Sequence, residues 1–384
     1  MKRSTKRILT THVGSLIRPA DLLEAARAAR AEGGEAERTY NDLLAASIAE
    51  VVKKQAAAGI DIVNDGEWGK SSWAAYVLDR VTGFERRPGQ LRPVEWMGRD
   101  MERFREAIRQ EMPSAVEGRP TEACIGAVAY KDDGSARRNC RNLQAAVSGV
   151  AVEEAFLTSV APASTAYDGV DEFYGNEREY IFAIANALRE EYRIIHESGL
   201  LLQVDDAVLA NMYDHLVQQS PQRYREWAQL RIDALNHALE GIPEDSIRYH
   251  VCFGSWHIPH TADAPMEEMI GFILQVNAGA YSIEAANVRH EHEWRVWETA
   301  KLSPEKILIP GVVTHHTITV EHPRLVADRI IRFANLVGRE NVIAGTDCGF
   351  AQAEGYQRVH PSVMWAKLET LAEGARLASK ELWG

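Results

Sequence analysis

Residues 177–206 read EREYIFAIANALREEYRIIHESGLLLQVDD. A helix-length amphipathic stretch, 177–198, gives way to a short apolar run, 200–206, that ends on Asp205-Asp206. The same alternation recurs along the chain. Other short β-branched runs fall at 8–15, 60–67, 123–129, 156–162, 247–254, 281–287, 307–314 and 341–350. Helix-length stretches at 20–31, 42–58, 222–239 and 325–336 lie between several of them. Strand-then-helix alternation predicts a parallel sheet with helical crossovers. Nine candidate strands exceed a barrel's eight. The segment 84–129, rich in Arg, Gly and Pro, is the least regular, so the 123–129 run is assigned to an excursion outside the barrel. The expectation is an α/β fold, a single (β/α)8 TIM barrel with an irregular excursion around 84–129. With no Pro/Gly/Ser linker, residues 1–384 are expected to form one domain.

Composition narrows the function classes. At 46% hydrophobic and 26% charged, the 384 residues match an ordinary globular chain long enough to bury a full core. Forty-three Lys+Arg against 55 Asp+Glu give a net charge of −12, which argues against nucleic acid or an anionic membrane as partner. No run of about 18 apolar residues predicts a transmembrane helix. The start, MKRSTKRILTTHVGS, lacks the apolar stretch of a secretory signal, so a cytoplasmic location is expected. Four scattered cysteines, Cys124, Cys140, Cys252 and Cys348, make no C-x-x-C and no disulfide framework.

Polar residues that a buried strand would avoid cluster at the carboxyl ends of the runs: Gly14-Ser15, Asp65-Gly66-Glu67, Asp205-Asp206, His250-Val251-Cys252, Glu284, His315-His316 and Asp347-Cys348. In a barrel these ends converge on the face that carries active sites. His250 and Cys252, two apart on a strand, would project from one face. Alone, the pair reads as core packing, and Cys348 alone as a small buried hydrophobe. Glu284 among apolar neighbours is a costly lone carboxylate. Together the one His, two Cys and one Glu make a tetrahedral set for Zn²⁺. Two thiolates and a carboxylate against the ion's +2 leave about −1, a poor water activator that suits holding a further thiol and keeping it nucleophilic. Thiol alkylation fits better than hydrolysis. Cys124 and Cys140 read as core, His290 and His292 as a solvated helix start, and His257 and His260 as loop.

The motifs TTHVGS, DGEWGK with SWAAYVLDRVTGF, QVDD, HVC, SIEAAN, PGVVTHH and GTDCG occur in the order found in the catalytic barrel of cobalamin-independent methionine synthase. Over residues 10–349 the chain resembles the short, single-barrel branch of that family. The resemblance makes His250, Cys252, Glu284 and Cys348 the zinc ligands. It places Val13 and Ser15 at the thiol substrate's carboxylate and Glu67 and Asp205 at its ammonium. It gives His316 the family's proton-handling histidine, with His315 beside it as the other candidate. Two carboxylates at a barrel mouth also invite a cationic ligand on physical grounds, unless Arg289 or Arg248 pairs with them.

The donor half departs from the family. Ser71-Ser72 stands where an acidic residue contacts the pterin, Trp73 replaces a Met, and Ala161-Pro162-Ala163-Ser164 replaces a threonine-rich segment. Trp73 and Tyr76 offer aromatic faces to a flat or cationic donor. Anionic tails could meet Arg86-Arg87, Arg137-Arg138 or Arg141. The reading is therefore a zinc-dependent methyl- or alkyltransferase in which a thiol, homocysteine, is activated as a metal-bound thiolate. The same branch holds epoxyalkane–coenzyme M transferase, so a thiol–epoxide transferase or a C–S lyase on the same zinc site is the alternative. Partners are a small-molecule thiol and an alkyl donor; assembly into a homo-oligomer is left open.

Overall fold

The computed structural model describes residues 1–254 and 256–384. Its main sheet contains eight parallel strands: β1 Leu9–Thr10, β2 Ile62–Val63, β3 Glu154–Val160, β4 Leu201–Asp206, β5 Ile247–Val251, β6 Ala280–Ile283, β7 Ile307–Val313 and β8 Ile343–Thr346. Each pairs with its neighbour in chain order, and β8 pairs back onto β1. A parallel bridge between Thr11 and Ile62 joins β1 to β2 and closes the ring. The fold is a (β/α)8 barrel, as the strand–helix alternation implies.

Strands covered on both faces need apolar residues at every position, and β7, ILIPGVV, is buried throughout. Inside the barrel, Leu9, Ile62, Phe156, Leu201, Ala280, Ile307, Ile309 and Ile343 form one apolar layer. Strand β5 contributes Arg248 instead, fully buried with its guanidinium 3.8 Å from the Phe156 ring centroid. Helices Ala20–Glu32, Gly34–Ala57, Glu177–Glu197, Pro221–Leu239 and Pro323–Val337 occupy the stretches read as helical. Helices Asp133–Val147 and Pro361–Trp383 complete the outer layer.

The run at 123–129 does lie outside the barrel, but the strand there is Arg119–Cys124. It pairs antiparallel with Phe84–Arg92 and parallel with Gly169–Asp171, a side sheet that reaches past the irregular segment. The barrel strands are also shorter than their apolar runs. Only Leu9–Thr10 of 8–15 and Ile62–Val63 of 60–67 carry ladder pairing. Beyond these residues the chain turns into loops at the carboxyl ends, which frees Val13, Ser15 and Glu67 from the ladder.

Candidate functional site

Three of the strand-end residues meet behind one cavity. His250 lies on β5, Cys252 follows it, and Cys348 lies two residues beyond β8. Their ligand atoms all fall within 4.8 Å of one another, and all three are buried. The two sulfurs are 3.4 Å apart. Gly349, beside Cys348, lets the Ser15 side chain close in on this corner, because a Cβ there would collide with Ser15 Oγ. Tetrahedral zinc with bonds of about 2.3 Å sets two sulfurs roughly 3.8 Å apart, so the pair fits the ion, and it is far outside disulfide range. The His250 ring supports the same reading. Its Nδ1 meets Ser282 Oγ at 3.2 Å, while its buried Nε2 has no partner. The hydrogen bond from Cys252, with help from His250, holds the Cys348 thiol well below its usual range, and the same bond pushes Cys252 up.

Glu284, at the end of β6, belongs to an adjoining group. With His315 and Asp347 it forms a second buried set whose ligand atoms lie within 4.8 Å of one another. Its carboxylate accepts from Phe253 N at 3.0 Å and Asn287 Nδ2 at 2.9 Å. Burial, then the neighbouring Cys348, pushes the Glu284 pKa well above the usual carboxylate range. Both His315 ring nitrogens are buried without a partner, and burial pushes the ring down to about 3. His316 is pushed to about 4 by burial and by His257. Glu284 and His316 line a neighbouring cavity of about 140 Å³.

The cavity over the sulfurs, about 200 Å³, is lined by Val13, Ser15, Glu67, Trp73 and Asp205 as well as by His250, Cys252 and Cys348. Trp73 packs against the cluster of Ala207, Cys252 and Cys348, and its backbone N–H donates to Gln352 O at 2.8 Å, tying it to the loop after β8. Tyr76 sits elsewhere: its hydroxyl lies 2.5 Å from Glu191 Oε1 and 3.2 Å from Ser159 Oγ, in the wall behind β3. Of the Asp205-Asp206 pair, Asp206 is consumed structurally, accepting from Tyr249 and from the N–H groups of Val208 and Leu209.

Glu67 and Asp205 remain as acids without a cation. Glu67 adopts a left-handed backbone (φ +61°), and its Oε2 is buried and unpartnered. Burial raises its pKa against the pull of Lys70 and Arg18. Burial also pushes Asp205 up to about 8, His250 opposing and Glu67 adding to the rise. Neither acid has an ion pair among the described residues. Arg248 donates instead to Thr11 Oγ1 and His12 O, both at 3.1 Å, and Arg289 lines the neighbouring cavity.

His290 corrects the solvated reading. It is buried between Glu293 (2.8 Å) and Asp263 (2.9 Å), stacked on Phe253, and these two carboxylates overcome burial to raise it to about 10. His292 is exposed. The basic runs Arg86-Arg87 and Arg137-Arg138 pair with surface acids or Asn41 and do not line the cavity. The cavity's cation is Arg358, beside Tyr356, in a stretch that had drawn no functional reading. Trp256 also lines it and stacks on Trp96 of the excursion at 3.9 Å, so the irregular segment does reach the site.

Barrel and site together define an enzyme class: a (β/α)8 protein whose chemistry sits at the carboxyl ends of its strands, around candidate metal-binding residues. Residues 171–367 match the model of the cobalamin-independent synthase catalytic domain, and the chain belongs to this family. It is a methyltransferase-class enzyme. A methionine synthase of Saccharolobus islandicus is 22% identical over 379 residues, covering 97% of this chain and 95% of that one. One of Thermococcus kodakarensis is 21% identical over 377 residues, covering 97% and 94%. Among solved structures, a B12-independent methionine synthase from Shewanella, in complex with selenomethionine, superposes with a TM-score of 0.71 at 18% identity, covering 98% of this chain and 99% of that one. These relatives span essentially the whole barrel.

Proposed function

We propose that this enzyme moves a methyl or small alkyl group onto the sulfur of homocysteine. The observation that carries the reading is the meeting of His250, Cys252 and Cys348 ligand atoms within 4.8 Å at a cavity that also holds Glu67 and Asp205. His250, Cys252 and Cys348 would hold zinc, with Glu284 as the fourth, displaceable ligand. When bound, the ion supplies a centre that lowers the pKa of a further thiol. Glu67 and Asp205 receive the substrate's ammonium. Both acids are buried without an ion pair and have raised pKa values, so an arriving ammonium supplies the partner that favours their ionised forms. Val13 and Ser15 take the carboxylate. The donor enters on the Trp73 side, and His316, with His315 beside it, handles the proton. Most of the acceleration then comes from proximity and thiol acidification.

A relative supports the reading: the Shewanella protein holds selenomethionine, the selenium counterpart of S-methylated homocysteine. The test is metal content followed by thiol titration. One zinc per chain, with proton release and binding heat on adding homocysteine, is the expected result. Full activity in metal-free protein would end the zinc reading. Zinc with binding of coenzyme M in place of homocysteine, which then fails to bind, would transfer the assignment to epoxide opening.

A further inference from the structure

Six arginines are buried in the described chain: Arg18, Arg80, Arg231, Arg248, Arg329 and Arg358. Removing a guanidinium from water is costly, so its N–H groups should be met by acceptors. Five follow the rule. Arg80, Arg231 and Arg329 each pair with a glutamate, at 2.9, 2.7 and 3.0 Å. Arg18 donates to three backbone carbonyls, and Arg248 to a threonine hydroxyl and a carbonyl.

Arg358 is the exception. Its side chain donates only to the Tyr356 hydroxyl, and its guanidinium lies 4.1 Å from the centroid of that same ring. No carboxylate among the described residues forms an ion pair with it. Of the six, it also lines the cavity over Cys252 and Cys348. A planar, permanently charged fork left open toward a small cavity matches a two-oxygen anionic face.

We propose that Arg358 is an oxyanion-docking residue of this cavity, so that a substrate bound there carries a carboxylate, sulfonate or phosphate group. The inference rests on the proposed thiol site for its setting, and it deepens that reading by fixing a charge on the ligand. In the same cavity Glu67 and Asp205 offer the opposite charge, so a zwitterion can place its ammonium there while Arg358 shares its anionic end with Val13 and Ser15.

The test compares 2-mercaptoethanesulfonate, its neutral counterpart 2-mercaptoethanol, and thiol-free ethanesulfonate. Binding to the as-purified, metal-assayed protein is followed by calorimetry at low ionic strength and by the fluorescence of Trp73 and Trp256, which line the cavity. Expected is a preference of about tenfold or more for the sulfonate thiol over the neutral one, as a charge-assisted bond implies. R358Q should reduce that ratio to about one and abolish ethanesulfonate binding, while R358K restores part of both. An unchanged ratio in folded R358Q, or no anion binding in wild type, overturns the proposal. So does metal loss in R358Q with the ratio unchanged, which would make Arg358 a counter-charge for the sulfurs. Ethanesulfonate binding that depends on Arg358, without any added affinity from a thiol, would keep the anion site and sink the thiol reading.

Discussion

Behind β3, Glu191 is buried and fully answered: Arg80 lies at 2.9 Å, and the hydroxyls of Tyr76, Tyr130 and Ser159 donate at 2.5, 2.7 and 2.8 Å. At the carboxyl ends of the strands, burial is as deep and the answers are missing. His250 Nε2, both His315 nitrogens and Glu67 Oε2 have no partner. Burying a polar group without a partner costs stability, so a fold holds such groups only where something else fixes them. The contrast separates a structural charge cluster from a functional one by the same physics. In the first, partners come from the chain; in the second, they are to come from a ligand.

The largest expected effect breaks the functional cluster. Cys348→Ser or His250→Ala should lower metal affinity by more than the 10–100-fold typical of outer-shell changes, and turnover should fall with it. Metal analysis after dialysis checks this. The thermal midpoint of each variant should match that of the metal-free wild type, because the site is not what holds the barrel together. Next comes the structural cluster. Glu191→Ala strands the Arg80 charge and should cost about 3–5 kcal/mol by denaturant titration, with zinc per chain unchanged. A metal-free Glu191→Ala protein of wild-type stability would erase the distinction between the two regions.

Acid sharpens it. Burial alone would raise the Glu191 carboxyl, but Arg80, Lys70 and the Tyr130 and Tyr76 hydroxyls overcome it and pull the group down to about 2. A depressed folded-state value means the stabilisation is present above the ordinary carboxylate range and is lost as pH falls toward about 2. The loss should be on the order of 3 kcal/mol, read from denaturation midpoints between pH 5 and pH 2, and absent in Glu191→Gln. A smaller effect tests the open acids: Asp205→Asn should raise the thiol KM by about tenfold, as removal of a charged hydrogen-bond acceptor does, with metal content intact.

Sequence pattern carried the barrel because period and alternation are local signals, and strands covered on both faces must be apolar at nearly every residue. It carried His250 and Cys252 because a two-residue spacing on a strand fixes a common face. It could not carry what depends on depth. His290 alternates with Glu291 and Glu293 in the chain, which looks solvated, yet Asp263 from another loop meets it and the ring is buried. Arg358 was invisible for the opposite reason: an arginine is ordinary in a sequence, and only the packing shows that no acid reaches it. The side sheet was legible as irregularity alone, since Gly169–Asp171 joins it from far along the chain.

Trp73 and Tyr76 show how finely the two regions interleave. Three residues apart, they read together as aromatic faces for a donor. In the fold Trp73 packs on the cysteine pair, while the Tyr76 hydroxyl joins Glu191 and Arg80 lies 4.6 Å from the Tyr76 ring centroid. Tyr76→Phe keeps that ring and removes one donor from a network that retains Arg80, Tyr130 and Ser159. The expected cost is therefore about 1 kcal/mol of stability, the net worth of one buried hydrogen bond. Steady-state kinetics should show the donor KM unmoved, whereas Trp73→Ala should raise it. A raised donor KM in Tyr76→Phe at full stability would place Tyr76 with the cavity after all, and the boundary between the answered and the unanswered cluster would have to be redrawn through its ring.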